Sequence, residues 1–466
     1  MKHFRLRQVA FAAAITTAAP LSAQTVATVV QSVALPDSLT SGTSTKASHA
    51  VDSTSTAAIL PLIQIQRIRP RDQRGVNVFE APKEDTLPFT NLTIGLGAAF
   101  TRQFQGLEHG NTAALNVVNG VDANQLIRIG HGFNNAVANL YVDAQLAKGM
   151  RVEVTTYLSS RHHQNTWVKD GYLLVDASPI DIDVLNNIMK YVTLKVGDFE
   201  VDYGDEHYRR TDNGLAIYNP FVGNYIMDAF TTEIGGEAYV RANGFLAMAG
   251  VTGGEIHGQV TAPQKRSPTF LGKLGFDRQL NSDLRVRLTG SVYGTSRSVN
   301  NTLYSGDRAG SRYYDVLQNT TSTEDAQAWS GSIQPGQSSK LTAVVINPFV
   351  KYRGFEFFGN AEQAKGRAVT EITDRTWRQY AGEGVYRFLN DRLYAGGRYN
   401  VVKGSFLGIP NDVTVNRTQV SGGWFVTPTV LLKGEYVVQN YNDFPVTDIR
   451  NGGRIKGFVV EGTVSF

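Results

Sequence analysis

Alternating apolar and polar residues mark many stretches of this 466-residue chain. The clearest stretch is the last one, from Arg454 to Phe466. Its two alternating sets are Phe458, Val460, Gly462, Val464 and Phe466 on one side, and Val459, Glu461, Thr463 and Ser465 on the other. Successive side chains of a β-strand point to opposite faces, so this pattern predicts a strand between an apolar and a more polar environment.

About sixteen strands are predicted between residue 92 and the end of the chain, many of them alternating in the same way. Their predicted bounds are Leu92–Arg102, Ala136–Ala147, Met150–Ser160, Tyr172–Ile182, Tyr191–Asp202, Ala229–Arg241, Phe245–Glu255, Thr269–Gln279, Leu284–Thr295, Leu341–Arg353, Phe355–Lys365, Trp377–Phe388, Leu393–Lys403, Thr418–Val426, Thr429–Gln439 and Arg454–Phe466. Most are close to the 9 to 11 residues that a tilted strand needs to cross a membrane.

The connections between these strands alternate in length. Those after strands 2, 6, 8, 10, 12 and 14 are tight, whereas 103–135, 203–228 and 296–340 are long; 183–190 is an exception, longer than the other turns. Short turns at one end and long loops at the other are typical of a transmembrane antiparallel β-barrel. The pattern therefore predicts an all-β barrel of about 16 strands, which is wide enough for an aqueous lumen.

Composition agrees with a sheet-rich protein. The chain has 46 Gly, 20 Tyr and 23 Phe against 5 Met, and no Cys. The absence of Cys excludes disulfides and thiol chemistry. After residue 23 there is no apolar run of the roughly 18 to 20 residues that a membrane helix requires, so a membrane form would have to be a closed barrel.

The start of the chain predicts export. Met1–Ala23 has a basic start, an apolar run and small residues before Gln24, as a cleaved signal peptide does. Its removal would bring the 45 Lys and Arg close to the 41 Asp and Glu, which leaves no charge argument for nucleic-acid binding. We expect a flexible periplasmic segment over 24–88 and the outer-membrane barrel over 89–466.

A basic stretch precedes the barrel. Within 60–84, isoleucines give way to Arg67, Arg69, Arg71 and Arg74. Two interpretations stay open: a periplasmic tail near the barrel mouth, or a plug or tether.

The loop after the fifth predicted strand, Tyr203 to Asp228, offers both signs of charge and several aromatic side chains. Its charged residues are Asp205, Glu206, His207, Arg209, Arg210 and Asp212. Rings of charged side chains determine selectivity in pores, but an external loop with solvated charges would have the same composition.

Alternation also assigns charged residues to the polar face of the wall. The predicted pore-wall charges are Arg151, Glu153, Arg285, Arg287, Arg398 and Lys433. Several acidic residues share that face, so many of these charges would pair across strands. The sum of charges does not separate anion from cation selectivity.

Residues 89–466, with the terminal Phe466, resemble the 16-stranded outer-membrane porins of Gram-negative bacteria, both general and phosphate-selective. The segments Arg69–Glu80 and Arg209–Asn224 are similar to parts of large porin-like proteins. The resemblance implies an inward-folded constriction loop after strand 5, passive diffusion of small hydrophilic solutes or ions, no cofactor, contact with outer-membrane lipid, a possible homotrimer, and recognition of Phe466 by the barrel-assembly machinery.

Two other functions stay open. External loops such as 296–340 could bind a ligand or mediate adhesion. A barrel hydrolase could use Asp205, Glu206 and His207, although no Gly-x-Ser-x-Gly or His-Glu-x-x-His motif occurs. His162 and His163 are adjacent in a predicted loop and form a poor metal-binding pair, so we expect no metal site there.

Overall fold

The computed structural model describes residues 65–81, 83, 87–134, 136–160, 166–258, 260, 265–323 and 329–466. The predicted signal peptide, the part of the N-terminal segment before residue 65, and His162 with His163 lie outside the described residues.

Sixteen antiparallel strands form the wall of a closed barrel. They are β1 Thr93–Gly110, β2 Val137–Ala147, β3 Met150–Ser159, β4 Thr166–Val175, β5 Val192–Glu200, β6 Thr232–Ala242, β7 Phe245–Thr252, β8 Thr269–Gln279, β9 Leu284–Thr295, β10 Lys340–Tyr352, β11 Phe355–Arg367, β12 Arg375–Phe388, β13 Leu393–Gly404, β14 Val413–Thr427, β15 Val430–Asn442 and β16 Arg454–Ser465. Each strand pairs with its neighbours in sequence, and the predicted 16-stranded barrel is confirmed.

Strand β1 closes the barrel. Its first half, Thr93–Thr101, pairs with β2, and Ala99–Gly110 pairs with β16. The backbone of Phe466 continues this seam, since its N–H donates to the Ala98 carbonyl at 3.0 Å and its own carbonyl accepts from Ala98 at 3.1 Å. The described wall strands thus form a ring without an open edge, as a spanning barrel requires.

Alternation along the strands separates two faces as the sequence predicts. On β2, Asn139 and Asp143 are buried within the barrel, whereas Leu140 and Val142 are exposed on its outer surface. The last strand follows the same rule, with Glu461 buried and Phe458 exposed. We call the buried side of the wall its inner face.

The fourth strand differs from the prediction. It covers Thr166–Val175, not Tyr172–Ile182. Pro179 follows closely and cannot donate to a strand ladder, so pairing ends before it. The connection to β5 then holds a short helix α1, Asp183–Met189, which explains the long turn. No helix of the described ranges is both long and apolar enough to cross a membrane.

The described residues also contain two further short strand pairings and two 3-10 turns. Val117–Val118 pairs with Val121–Asp122, and Gly132–Phe133 pairs with β1. The 3-10 turns cover Gln73–Gly75 and Glu206–Tyr208.

Loops and wall share one core on the inner face. Val222 and Ile226 of the β5–β6 connection and Leu303 of the β9–β10 connection are fully buried. They belong to the same apolar cluster as the wall residues Trp377 and Val437. The interior of the barrel is therefore packed by its own connections.

We predict that Gly457 is required at the barrel seam. Its φ of +141° disfavours other residues, and an added Cβ would lie 2.2 Å from the Gly106 carbonyl oxygen of β1. Gly457→Ala should lower the free energy of unfolding by roughly 2 kcal/mol, measured by urea unfolding in lipid vesicles. Gly434→Ala is the control, because a Cβ there meets nothing within 4 Å. Equal stability of the two variants would contradict the prediction.

Candidate functional site

The connection between β5 and β6, residues 201–231, packs against the inner face of the wall. Most of its side chains are buried, and Phe221, Val222, Ile226 and Met227 are inaccessible to solvent. Its Gly214 lies so close to the backbone of β1 and β2 that an added Cβ would be 2.6 Å from the Ala99 carbonyl oxygen. The connection contacts several separate strands of the barrel.

Three buried cations of the wall bind the backbone of this connection. Lys433 on β15 donates to the carbonyls of Ala216, Asn219 and Phe221, each at 2.9 Å. Arg398 on β13 donates to the Gly223 carbonyl at 2.8 Å.

On β14, the third cation, Arg417, donates to the Asn224 carbonyl at 2.6 Å. Buried carbonyls need such donors, so the wall determines the path of residues 216–224.

Neutral and acidic wall residues satisfy the N–H groups of the same connection. The Ile226 N–H donates to Asn400 at 2.7 Å and the Met227 N–H to Gln379 at 3.0 Å. Glu435 accepts from the Val222 N–H at 2.8 Å. Donors and acceptors of the loop backbone thus both have side-chain partners on strands β12, β13 and β15.

Asp205 begins the charged part of the connection. Its carboxylate accepts from Arg287 of β9 at 2.7 and 2.8 Å and lies 2.8 Å from the Lys273 amine of β8. Burial alone would raise the pKa of Asp205, but the charges of Lys273 and Arg287 lower it below its ordinary value. The predicted loop and wall charges Asp205 and Arg287 are therefore in direct contact.

His207 lies between two carboxylates. Its Nδ1 is 2.9 Å from Glu200 and its Nε2 is 3.0 Å from Asp202. Burial opposes the charged ring, but the two hydrogen bonds and charges outweigh burial and raise the pKa of His207. A protonated imidazole, with two N–H donors, fits both acceptors.

Arg209 and Arg210 bind different partners. Arg209 donates to Glu383 of β12 at 2.7 Å and also contacts Asn77. Arg210 donates to Asp228 at 2.6 Å and also pairs with Asp307. One arginine thus joins the connection to the wall, and the other joins it to the β9–β10 connection.

Two carboxyls of the predicted set have fewer partners. Glu206 is buried and its Oε1 has no hydrogen-bond partner; burial, and then Asp228, raise its pKa. Asp212 lies 3.4 Å from the Lys169 amine, and burial, followed by Asp307, raises its pKa as well. Burial is the largest cause of the raised pKa in both carboxyls.

Residues 65–81, which the sequence analysis assigned to a flexible segment, make specific contacts with five parts of the barrel. In chain order these contacts are Arg71 with Asp143 of β2, the Gln73 N–H with the Pro428 carbonyl at 2.9 Å, Asn77 with Glu356 of β11 at 2.6 Å, Glu80 with Arg287 at 2.7 Å, and the Ala81 carbonyl with Arg241 of β6. We call the described residues 65–81 and 83 the N-terminal insert. It crosses the barrel at the end where the short turns lie.

The N-terminal insert also contacts the β5–β6 connection. The guanidinium of Arg69 stacks 3.7 Å from the Tyr218 ring centre and donates to the Tyr208 carbonyl at 2.8 Å. Burial lowers the pKa of Arg69, and the aromatic neighbours oppose that effect. The two segments therefore form one continuous filling.

The remaining predicted wall charges have separate locations. Arg151 pairs with Asp176 at 2.5 Å and Glu153 at 3.3 Å on the β3–β4 side. Arg285 pairs with Asp277 at 2.6 Å near the short turns. Neither group is in contact with Arg398 or Lys433, so the predicted charges form several sites instead of one ring.

Of the cavities that the described residues form beside the filling, two share lining residues. The first, about 210 Å³, is bounded by the inner face of β2–β6, the N-terminal insert and the β5–β6 connection. The second, about 1140 Å³, opens at the short-turn end. Residues of the N-terminal insert line both cavities. The two cavities share the lining residues Phe79, Glu80 and Arg241. The cavities are thus adjacent.

The described parts of the β9–β10 connection, residues 296–323 and 329–339, place Arg312 and Tyr313 against the inner face of the wall. Tyr313 is buried and donates to Glu435 at 2.5 Å, and Arg312 is 3.2 Å from Glu461. Its Ile333 N–H donates to the Ile226 carbonyl at 2.7 Å. Trp329 is partly exposed. These contacts leave the Tyr313 ring unavailable to an external partner.

Several charged residues of this network were absent from the predicted set, among them Glu80, Lys273, Glu383 and Arg417. Lys273 and Arg417 occupy inward positions in the alternation of their strands, so the pattern carried a signal. Arg417 was missed because the predicted strand began at Thr418. Glu80 belongs to a segment without periodicity, where the sequence carries no such signal.

No family model matches the chain, and no curated protein matches it. Among solved structures it is similar to an anion-selective porin from Comamonas acidovorans, with a TM-score of 0.50 and 12% identity over 81% of this chain and 100% of that one. It is also similar to the channel DcaP of Acinetobacter baumannii (TM-score 0.47, 9%, covering 81% and 98%) and to OmpT of Vibrio cholerae (0.47, 10%, 82% and 99%). The fold is that of an outer-membrane porin-type barrel.

We predict that His207 stabilises the fold in a pH-dependent way. Its folded pKa is above the usual value of about 6.5, so the stabilisation is fully present below about pH 6.5 and is lost as the pH rises through the folded pKa. The difference in unfolding free energy between the wild type and His207→Gln should therefore be larger at low pH and shrink at high pH.

Urea unfolding in lipid vesicles across this pH range measures that difference. His131→Gln, at an exposed position of the β1–β2 connection, is the control. A His207→Gln effect that does not change with pH would show that the two carboxylates do not hold a charged imidazole.

Proposed function

We propose that the protein is an outer-membrane channel through which small hydrophilic solutes or ions diffuse passively. The observation that carries this proposal is the pair of adjacent cavities, which together extend from the short-turn end along the inner face of β2–β6. The polar lumen of a 16-stranded barrel is wide enough to keep such a route beside its filling.

The β5–β6 connection narrows the route in this proposal. His207, Arg210 and Asp212 line the first cavity opposite the wall, whereas Asp205, Arg209 and Glu206 bind or face the wall and the insert elsewhere. Arg398 and Lys433 hold the connection in place from behind. We infer that the charged loop residues divide into a lining group and an anchoring group.

The N-terminal insert narrows the route further. Phe79 is buried, packs edge-on against Tyr208 and Phe349, and lies where the two cavities meet. We infer that solutes pass this ring before they reach the first cavity, so that size exclusion acts at Phe79 as well as at the β5–β6 connection.

Charge favours anions at the short-turn end. Seven basic side chains line the second cavity: Arg67, Lys83, Lys148, Lys190, Arg241, Arg285 and Arg287. Its three carboxylates are Glu80, Asp176 and Asp277. Burial lowers the pKa of Lys83 to about 8, and the other six cations still outnumber the carboxylates at neutral pH. An excess of one sign raises the local concentration of the opposite ion.

Partners remain part of the proposal. Phe466 is exposed on the outer surface at the seam, where the barrel-assembly machinery could bind it during insertion. A homotrimer would follow the porin fold, and we assign no residues to its interface.

We predict that the Phe79 side chain limits the conductance of the channel. The wild-type chain, folded and inserted in a planar lipid bilayer, should give stable single-channel steps. Phe79→Ala should give larger steps, because the side chain that separates the cavities is removed. Phe355→Ala is the matched control, since Phe355 faces outward at the end of β11.

An absence of steps from both the wild type and Phe79→Ala, with the barrel folded, would overturn the channel function. Steps of equal size from the wild type and Phe79→Ala would agree with a channel function but would show that solutes do not pass Phe79.

We also predict that the channel prefers anions. In a salt gradient, the reversal potential of the wild type should indicate a preference for anions, and Lys148→Glu with Lys190→Glu should reduce or reverse it. The control carries the same charge change at the same end, Arg353→Glu with Arg392→Glu, at two exposed residues that do not line the cavity. An equal shift in both double variants would exclude the second cavity as the source of selectivity.

A further inference from the structure

Three cations lie side by side on the outer surface of the barrel, near the long-loop end. They are Lys365 on β11, Arg378 on β12 and Lys403 on β13, and all three are exposed. Their direction is fixed by alternation, because Trp377 and Gln379 on either side of Arg378 are buried on the inner face. The three charges therefore face away from the lumen.

Strand register brings these charges together. Arg378 is directly opposite Lys403, and it is also opposite Gln363, two residues before Lys365. Directly opposed residues have Cβ atoms about 4.5 to 5.5 Å apart, and diagonal neighbours about 7 to 8 Å. Like charges at these positions repel, so an anion between them would be stabilising.

Nearby carboxylates have other partners. Asp374 pairs with Lys340 at 2.7 Å and with Arg367 at 3.1 Å, and it affects Lys365 only at longer range. Glu371 pairs with Arg375.

Within the described part of the chain, none of the three outward cations forms an ion pair. Arg378 donates only its Nε to Gln363, at 3.1 Å, which leaves the rest of its guanidinium fork available.

The cluster lies at the border of the apolar belt. Tyr380, two residues from Arg378 on the same face, and Tyr399, four residues from Lys403, are both about half exposed on the outer surface. Aromatic residues of outer-membrane barrels form girdles at the membrane interface. Cations just beyond such a girdle lie at the level of lipid head groups.

We propose that Lys365, Arg378 and Lys403 form a binding site for the phosphate groups of a phosphorylated glycolipid in the outer leaflet. Arginine binds phosphate through two parallel N–H donors, and the lysines add point charges on either side. Lipid is favoured over a soluble anion because the cluster continues the lipid-facing surface instead of a cavity. The proposal requires the long-loop end to face outward and does not depend on solute passage.

The test uses the full chain folded in dodecyl maltoside, with purified bisphosphorylated lipid A as the probe and native mass spectrometry as the readout. The wild type should retain lipid A, and K365Q/R378Q/K403Q should bind it at least tenfold more weakly. K456Q is the control, because Lys456 is an exposed cation near the same end whose charge is paired with Glu108 at 3.0 Å. It should bind lipid A as the wild type does.

Two further probes identify the ligand chemistry. Dephosphorylated lipid A should bind the wild type no better than it binds the triple variant. Inorganic phosphate at millimolar concentration should not displace bound lipid A; displacement would show that a free anion is the ligand. Equal retention of lipid A by the wild type and the triple variant, with both barrels folded by heat-modifiable migration, would overturn the proposal.

Discussion

The structure depends on one constraint: backbone groups buried inside the barrel have no water and must find partners there. The β5–β6 connection runs through this interior with only the 3-10 turn Glu206–Tyr208 and a few local backbone hydrogen bonds, so many of its carbonyls and N–H groups need partners elsewhere. Wall side chains replace those partners. Lys433 alone accounts for three carbonyls, and Arg398 and Arg417 continue the series. An unsatisfied buried group costs about 1 to 3 kcal/mol, so the loop has one favourable path.

Buried ion pairs also favour one path for the segments that fill the barrel. Arg287 joins Asp205 of the connection to Glu80 of the N-terminal insert, and Lys273 contacts both acids. Such pairs contribute little net stability, because desolvation offsets their attraction, but breaking one leaves a buried charge alone. Their effect is therefore specificity: each segment of the filling is favoured at one position. This explains why many inward charges are paired instead of lining a passage.

Sequence alternation predicted the wall well because the apolar and polar positions within each strand show which of its faces is buried. It failed at β4, where Pro179 and not the apolar pattern determines the end of the strand, and at β1, which extends eight residues beyond its predicted end at Arg102.

The candidate site was only partly predictable. The charged residues of 205–212 were visible, and so was Arg287, but the pairing was not, since partners such as Glu383 and Asp307 are far away in sequence. The path of the N-terminal insert had no periodic pattern at all, so its contacts depend on a geometry that exists only after closure.

The location of the N-terminal insert constrains the order of events during biogenesis. The insert directly precedes β1, and β1 is the strand that pairs with β16 to complete the ring. A segment with partners on β2, β6, β9 and β11 would have to thread through a narrow opening if it entered after that pairing. Placing the N-terminal insert in the interior before β1 pairs with β16 avoids this kinetic barrier. The last step of assembly would then close the barrel around a segment of the same chain.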